Sequence, residues 1–181
     1  MATCVIRRPA PDEYAPYYGR YIDRVPEGDL CEMLPVQLEE TRALIRSIPE
    51  RRGTDRYAPD KWSIKEVLGH VIDTERIMSY RALRVGRGDP TPLPGYEQND
   101  YVPTGGFDER TLVDLSEELA SVRQATIHLF RHFDPAALTR RGTASGGPVT
   151  PRALAYIIAG HERHHVAILH DRYLQAGAQG S

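Results

Sequence analysis

The residues best suited to chemistry in this sequence lie near its carboxyl end, in the run Gly160-His161-Glu162-Arg163-His164-His165. His161 and His165 are four residues apart, so on a helix their side chains lie on one face, about 5–6 Å apart at Cβ. Two imidazole nitrogens can then bind one divalent ion at about 2.0–2.1 Å. The pair also falls on the apolar stripe of its helix, where a buried imidazole needs a partner. We therefore predict that both histidines are metal ligands.

The same run matches the H-E-x-x-H pattern of zinc proteases, in which Glu162 would be the general base. That interpretation requires a third ligand downstream, but no glutamate follows Glu162 in the sequence. The extended motif needs Gly and His at two positions that are held here by Ile168 and Asp171. The sequence therefore disfavours a protease.

His70 is the best candidate for the third ligand, because it lies among apolar residues of an earlier helical segment. A helix bundle builds metal sites from inward-projecting side chains on facing helices. Three histidine ligands would leave a fourth position for water or substrate, as in catalytic zinc sites. A fourth protein ligand, for which His164 is the candidate, would instead make the site structural. Imidazoles accept zinc, nickel and other ions alike, so the sequence does not select the metal.

The neighbouring polar residues have two interpretations each. Asp73 and Glu75 either orient a ligand imidazole or form ion pairs with Arg76 or Arg163. No functional role is expected for three of the remaining histidines. His128 and His132 fit a solvated helix face, and His170 points away from the predicted ligands.

Helices must position these residues, and the spacing of apolar side chains at three, four and seven predicts four of them. No segment alternates at period two, so no strand is predicted. The expected fold is an all-α four-helix bundle with long connections. Residues 1–28 are expected to form an irregular N-terminal arm, and residues 29–181 the bundle domain. The predicted helices run from Asp29 to Pro49, from Ser63 to Gly86, from Asp108 to Phe133, and from Thr150 to near Gly177.

Composition argues against several classes of protein. The formal net charge is −2, which gives no bulk electrostatic case for binding nucleic acid or a membrane surface. Cys4 and Cys31 are the only cysteines, which argues against a disulfide framework and suits the cytoplasm. Neither a secretory signal pattern nor a membrane-spanning apolar stretch is present in the sequence.

Three segments, in their order and spacing, resemble the DinB-like (YfiT-like) superfamily. They are Lys61–Arg76, which opens the second helix, Pro94–Tyr101 in the loop that follows, and the histidine run Gly160–His165. The resemblance covers the chain from about Asp29 to Leu174. It implies an up-down-down-up bundle and, in many members, a homodimer.

The resemblance also implies a zinc or nickel ion held by His70, His161 and His165. Members include transferases that use a low-molecular-weight thiol, bacillithiol or mycothiol, and the related maleylpyruvate isomerases. We therefore expect a metal-dependent enzyme that transfers such a thiol to an electrophilic small molecule. A metal-dependent hydrolase and a non-catalytic metal-binding stress-response module are the alternatives.

No residue of the sequence can be assigned a catalytic or substrate-binding role on this basis. Arg76 and Arg81 are candidates to hold substrate carboxylates, or else are ordinary surface charges. The Pro-rich stretch 89–106 is a candidate pocket wall, from which Tyr96 or Asp100 would reach the site.

Overall fold

A computed structural model describes residues 5–175 of the chain. Within that range there are four short 3₁₀ turns, Pro11–Glu13, Pro16–Tyr18, Glu50–Arg52 and Phe107–Glu109, and a π-helical turn, Leu169–Leu174, extends the last helix. The predicted helix end near Gly177 lies outside the described residues. The elements are α1 Gly19–Ile22, α2 Leu30–Ser47, α3 Ile64–Gly86, α4 Gln98–Thr104, α5 Leu112–Arg131, α6 Pro135–Thr139, β1 Gly142–Ala144, β2 Gly147–Val149 and α7 Pro151–Ile168.

The four long helices α2, α3, α5 and α7 form a bundle, which confirms the predicted all-α fold. Helix α3 packs against both α7 and α5, while α2 packs mainly against α5. The consecutive helices α2 and α3 therefore occupy opposite corners, and long connections must cross the ends of the bundle. Buried apolar side chains, among them Phe130 and Leu115, fill its interior. None of the described helices has the length and apolar character that a membrane span requires.

The helix starts depend on local hydrogen bonds that the sequence predicts. The Ser63 hydroxyl accepts the amide N–H of Glu66, whose carboxylate accepts the N–H of Ser63, so the predicted capping box is present. Asp29 caps α2, and Thr150 caps α7 with Pro151 at its first position. These caps set the start of α3 and α7, and thereby where their histidines lie along the bundle.

Helix α5 begins later than predicted. Thr111, not Asp108, accepts the capping N–H, and it does so from Asp114. Asp108 lies in a preceding 3₁₀ turn, where its carboxylate accepts hydrogen bonds from the Ser63 hydroxyl at 2.5 Å and from Arg56 at 2.9 Å. The prediction failed because a partner distant in sequence competes for the Asp108 carboxylate.

The connection before α7 contains a β-hairpin, contrary to the prediction that no strand is present. Its strands β1 and β2 have three residues each, too few for an alternating pattern to show in the sequence. The Pro-rich stretch is tied to this hairpin, because the Leu93 N–H donates to Thr143 O and the Ser145 N–H donates to Leu93 O. This stretch also forms helix α4 and is therefore not a structureless loop.

The described part of the N-terminal segment, residues 5–28, forms two short helical turns and α1, which differs from the expected irregular arm. Helix α1 lies against α7 so closely that a Cβ on Gly160 would sit 2.0 Å from the carbonyl oxygen of Tyr21. Only glycine permits this approach. Further along, the buried Glu13 carboxylate accepts hydrogen bonds from Thr150 at 2.8 Å and from Arg152 at 2.7 Å.

A buried ionic network joins the four long helices. Arg123 of α5 is fully buried and donates to both carboxylate oxygens of Glu75 on α3, each at 2.8 Å. It also donates to Glu162 of α7 at 2.7 Å, and Gln37 of α2 donates to the same carboxylate. Burial opposes the charge on Arg123, but the two carboxylates outweigh it and raise the pKa of the guanidinium.

Replacing Arg123 by methionine should destabilise the protein by about 3–5 kcal/mol, because the change leaves Glu75 and Glu162 buried without a counter-charge. Urea denaturation measures the free energy of unfolding. Arg110→Met is the matched control, because Arg110 pairs with Asp114 and Glu118 in a more exposed setting and should cost less than about 1 kcal/mol. Equal losses in the two variants would contradict this role for Arg123.

Replacing Glu13 by glutamine should cost about 1.5–3 kcal/mol at pH 7. Burial opposes ionisation of Glu13, but hydrogen bonds from Arg152, Ala10 and Thr150 outweigh it and lower the pKa of the carboxyl from its usual 4.5. The stabilisation is therefore present above pH 4.5 and is lost as the pH falls through the lowered pKa.

The difference in unfolding free energy between wild type and Glu13→Gln should consequently shrink in acid. Glu27→Gln serves as the control, since Glu27 pairs with Arg8 while largely exposed. A difference that is independent of pH between 3 and 7 would show that the charge of Glu13 does not contribute.

Candidate metal centre

Three histidine side chains converge between α3 and α7. The Nε2 atom of His161 lies 3.0 Å from Nε2 of His70 and 3.1 Å from Nε2 of His165. All three side chains are buried, with at most 9% of their surface exposed. The potential ligand atoms all lie within 4.8 Å of one another. The structure therefore brings together the three residues that the sequence predicts as ligands.

Burial keeps these imidazoles neutral. It lowers the pKa of His70 to about 4 and that of His165 to about 2, with neighbouring imidazoles adding to the effect. Burial, together with the two flanking histidines, also lowers the pKa of His161 well below its usual value. Neutral imidazole is the form that binds a metal, so the nitrogens are available at neutral pH.

Hydrogen bonding alone does not satisfy this cluster. Nε2 of His161 faces two other Nε2 atoms, but one ring nitrogen carries at most one proton and can donate to only one of them. Nδ1 of His165 is also buried and has no hydrogen-bond partner among the described residues. Ligands of a tetrahedral zinc at about 2.0–2.1 Å would lie about 3.3 Å apart, close to the two Nε2 separations observed here. The cluster thus has the three donors, and two of the three separations, that a tetrahedral divalent ion requires.

Aromatic rings pack around the histidines. The ring of Trp62, two residues before α3, lies 4.8 Å from that of His70. The ring of Tyr21 meets His161 edge-on at 5.2 Å. Sequence reasoning did not anticipate Tyr21 at the site. The available clue was Gly160, a glycine inside a helix directly before a predicted ligand, which marks a close backbone approach.

His161 lines a cavity of about 320 Å³. We call it the tyrosine cavity, because Tyr17, Tyr18, Tyr21 and Tyr96 line it.

Tyr96 comes from the Pro-rich stretch, as predicted, and its hydroxyl lies 2.8 Å from Oγ1 of Thr74. Burial raises the pKa of Tyr96, which keeps its hydroxyl protonated. The tyrosine cavity therefore contains a neutral hydroxyl pair on the side wall formed by α3.

His165 lines another cavity, of about 260 Å³. We call it the tryptophan cavity, because Trp62 lines it together with Tyr173. Tyr173 lies in the π-helical turn after α7, and its hydroxyl donates to the carbonyl oxygen of Trp62 at 2.6 Å. Asn99 of α4 lines both cavities. The histidine cluster is thus bordered by two cavities, each reaching a different histidine.

The carboxylates near the ligands are engaged elsewhere. Asp73 pairs with Arg76 at 3.7 Å, one of the two expected alternatives. Glu75 pairs with neither expected arginine but with Arg123, a partner that local spacing did not reveal. Glu162 is held by the same guanidinium. It therefore does not serve as the free base that a zinc protease of the H-E-x-x-H type requires.

The remaining histidines lie outside the cluster. His164 is half-buried, and its ring packs on those of Tyr21 and His165 instead of joining the three converging nitrogens. His128 and His132 are exposed and stack at 6.4 Å, as expected for a solvated face, and His170 is also exposed.

Of the two arginines considered for substrate binding, Arg76 is 48% exposed and pairs with Glu118, whereas Arg81 is buried beside the tyrosine cavity. Asp100 lies exposed in the first turn of α4 and does not line either cavity.

Comparison with known proteins agrees with this architecture. A family model described as the DinB superfamily matches residues 34–169. The fold is similar to that of YfiT from Bacillus subtilis, described as a probable metal-dependent hydrolase with an unusual four-helix bundle topology, with a TM-score of 0.70 and 13% identity over 93% of each chain. It is also similar to a mycothiol-dependent maleylpyruvate isomerase, with a TM-score of 0.64 and 12% identity over 80% of this chain and 61% of that one. None of the curated proteins matches the sequence.

Alanine substitution of His70, His161 or His165 should weaken metal binding by about 100-fold or more, since each removes one donor from a three-donor site. Each variant would be loaded with metal and dialysed, and the metal that remains bound per protein chain would then be measured. His128→Ala is the control, because His128 belongs to another pair of histidines four residues apart but is exposed. One equivalent of metal retained in all three variants would contradict the site, provided circular dichroism shows intact helices.

Proposed function

The chain belongs to the DinB superfamily, and from this premise we propose that it is a metal-dependent enzyme that joins a low-molecular-weight thiol to an electrophilic small molecule. His70, His161 and His165 would hold the metal ion. A divalent ion bound there supplies Lewis acidity, which lowers the pKa of a coordinated thiol or water toward neutrality.

The observation that carries the proposal is the pair of cavities at the histidine cluster. The tyrosine cavity reaches His161 and the tryptophan cavity reaches His165, with Asn99 lining both. A transfer between two organic molecules needs space for both beside the same centre. A hydrolase needs one such space, because its second reactant is water. Two cavities of about 320 and 260 Å³ therefore favour transfer over hydrolysis.

The side chains of the two cavities have complementary roles in this proposal. Trp62 and Tyr173 present ring surface to a ligand that approaches His165 through the tryptophan cavity. The hydroxyl of Tyr96, which is hydrogen-bonded to Thr74, stays protonated and lies in the tyrosine cavity. It is placed to donate a hydrogen bond to an oxygen of a substrate bound there.

Two further features favour an enzyme over a non-catalytic module. The converging set contains three histidines and not His164, so the described residues do not supply the fourth ligand of a closed structural site. Both cavities are also lined by polar groups as well as by rings, as binding sites for small molecules commonly are. The choice of zinc or nickel, a homodimer and a cytoplasmic location remain predictions.

The direct test measures thiol consumption by the metal-loaded protein. Mycothiol, bacillithiol, glutathione and cysteine would each be incubated with a panel of electrophiles, including maleylpyruvate and activated esters. We expect loss of free thiol, or thiol-dependent conversion of the electrophile, with at least one pair. His165→Ala should abolish the turnover, whereas His128→Ala should retain it, because only His165 lies in the cluster.

The same assay separates the alternatives. Ester cleavage that is independent of every thiol would replace the proposal by a hydrolase. Trp62 is the only tryptophan in the chain, lies against His70 and lines the tryptophan cavity, so its fluorescence would report a thiol that binds there. A metal-loaded protein whose Trp62 emission responds to no thiol, and which turns over no electrophile, would contradict both enzymatic interpretations.

A further inference from the structure

Arg81 is an unusual buried cation. Three lysine or arginine side chains are buried among residues 5–175. Lys65 pairs with Glu50, and Arg123 pairs with two carboxylates. Arg81 is 3% exposed, yet no carboxylate of the described residues lies within ion-pair distance of it. A buried charge of this kind is costly unless a counter-charge approaches it.

The contacts of Arg81 place it directly behind the wall of the tyrosine cavity. Its Nη2 donates to the carbonyl oxygen of Pro94 at 2.7 Å and to the hydroxyl of Ser145 at 3.0 Å. Its Nη1 faces the sulfur of Met78 at 3.6 Å, which is only a weak acceptor. Ser145 and Met78 both line the tyrosine cavity, as does Tyr96, whose ring lies 5.9 Å from the guanidinium.

Ser145 provides a second, independent observation. It is the one residue other than glycine with a positive φ in the described range, at +52°, in the tight turn between β1 and β2. The next residue, Gly146, has φ +76°, so the turn requires two left-handed positions, where Asn or Gly is the usual first residue. Backbone strain of this kind is typically retained where a side chain is needed. Here the strained residue presents its hydroxyl to the tyrosine cavity.

We propose that the tyrosine cavity binds the electrophile through a carboxylate, which accepts a hydrogen bond from Ser145 backed by the charge of Arg81. The Ser145 oxygen accepts a hydrogen bond from Arg81, and its own O–H remains free to donate one to the carboxylate. Arg81 therefore acts on the ligand through Ser145. The inference rests on the proposed function, since it names the substrate class of that same site. It also assigns the other cosubstrate, the thiol, to the tryptophan cavity.

The cavity contains one carboxylate of its own, Glu97, which does not neutralise Arg81. Its Oε1 accepts the amide N–H of Asn99 at 2.9 Å and caps α4. Glu97 is exposed, so water and salt screen its charge. The buried guanidinium, bonded to Ser145, is therefore the charge that acts on a ligand beside Ser145.

The test is a comparison of isosteric probes by calorimetry with the metal-loaded protein at fixed ionic strength. Benzoate, maleate and succinate would be titrated beside benzamide, maleamide and succinamide. We expect at least one acid to bind about tenfold or more tightly than its amide in the wild type. Arg81→Gln and Ser145→Ala should reduce that ratio to near one. Arg76→Gln is the matched control on the same helix and should leave the ratio unchanged.

Ser145→Gly separates binding from folding. It removes the hydroxyl and also relieves the positive φ, so the melting temperature should rise while the preference for acids is lost. No preference for acids in the wild type would overturn the inference. So would a preference that persists in Arg81→Gln and Ser145→Gly, because the carboxylates would then bind at the histidine cluster. The readout needs no thiol, so the inference can fail or hold independently of transferase activity.

Discussion

A single buried guanidinium determines how the four long helices meet. The charges of Glu75 and Glu162 are stable in the interior only beside Arg123, and Gln37 completes the set from the fourth helix. Glu162 directly precedes Arg163 and follows His161 on α7, while Glu75 lies on α3 with His70. The rotation of α3 and α7 that forms the ion pairs therefore also directs their histidines toward one another. The candidate metal centre therefore depends on this network although the network contributes no ligand.

The bundle supplies the histidines, but its connections supply the space around them. Helix α1 covers His161 from one side, and the Pro-rich stretch adds Tyr96 from another. The hairpin, tied to Leu93, positions Ser145 on the wall of the same cavity. A rigid scaffold with variable connections allows one ligand set to serve different substrates. The residues that distinguish this chain from its relatives are thus expected in the loops.

Local patterns in the sequence were sufficient for the four long helices and for the candidate ligands, but not for the short helices α1, α4 and α6. The capping box of Ser63 and Glu66 and the Thr150-Pro151 start are contained within a few residues, and so is the His161–His165 spacing. Features that depend on partners distant in sequence were missed. Nothing in the residues around Arg123 predicts that two buried carboxylates pair with it. Asp108 is not the N-cap of α5, because its carboxylate accepts hydrogen bonds from Ser63 and Arg56 instead. Strands of three residues are too short to show a period.

The contact between Gly160 and the backbone of Tyr21 has a consequence for how the protein acquires its site. It joins segments that are far apart in the sequence, as does the bond between Glu13 and Thr150, whose residues are 137 positions apart. Contacts of such separation form slowly, because a long loop must close first. During synthesis, the segment that carries Tyr17, Tyr18 and Tyr21 leaves the ribosome before α7 and has no surface to dock on until α7 has emerged. The tyrosine cavity therefore takes shape only after α7 has been made.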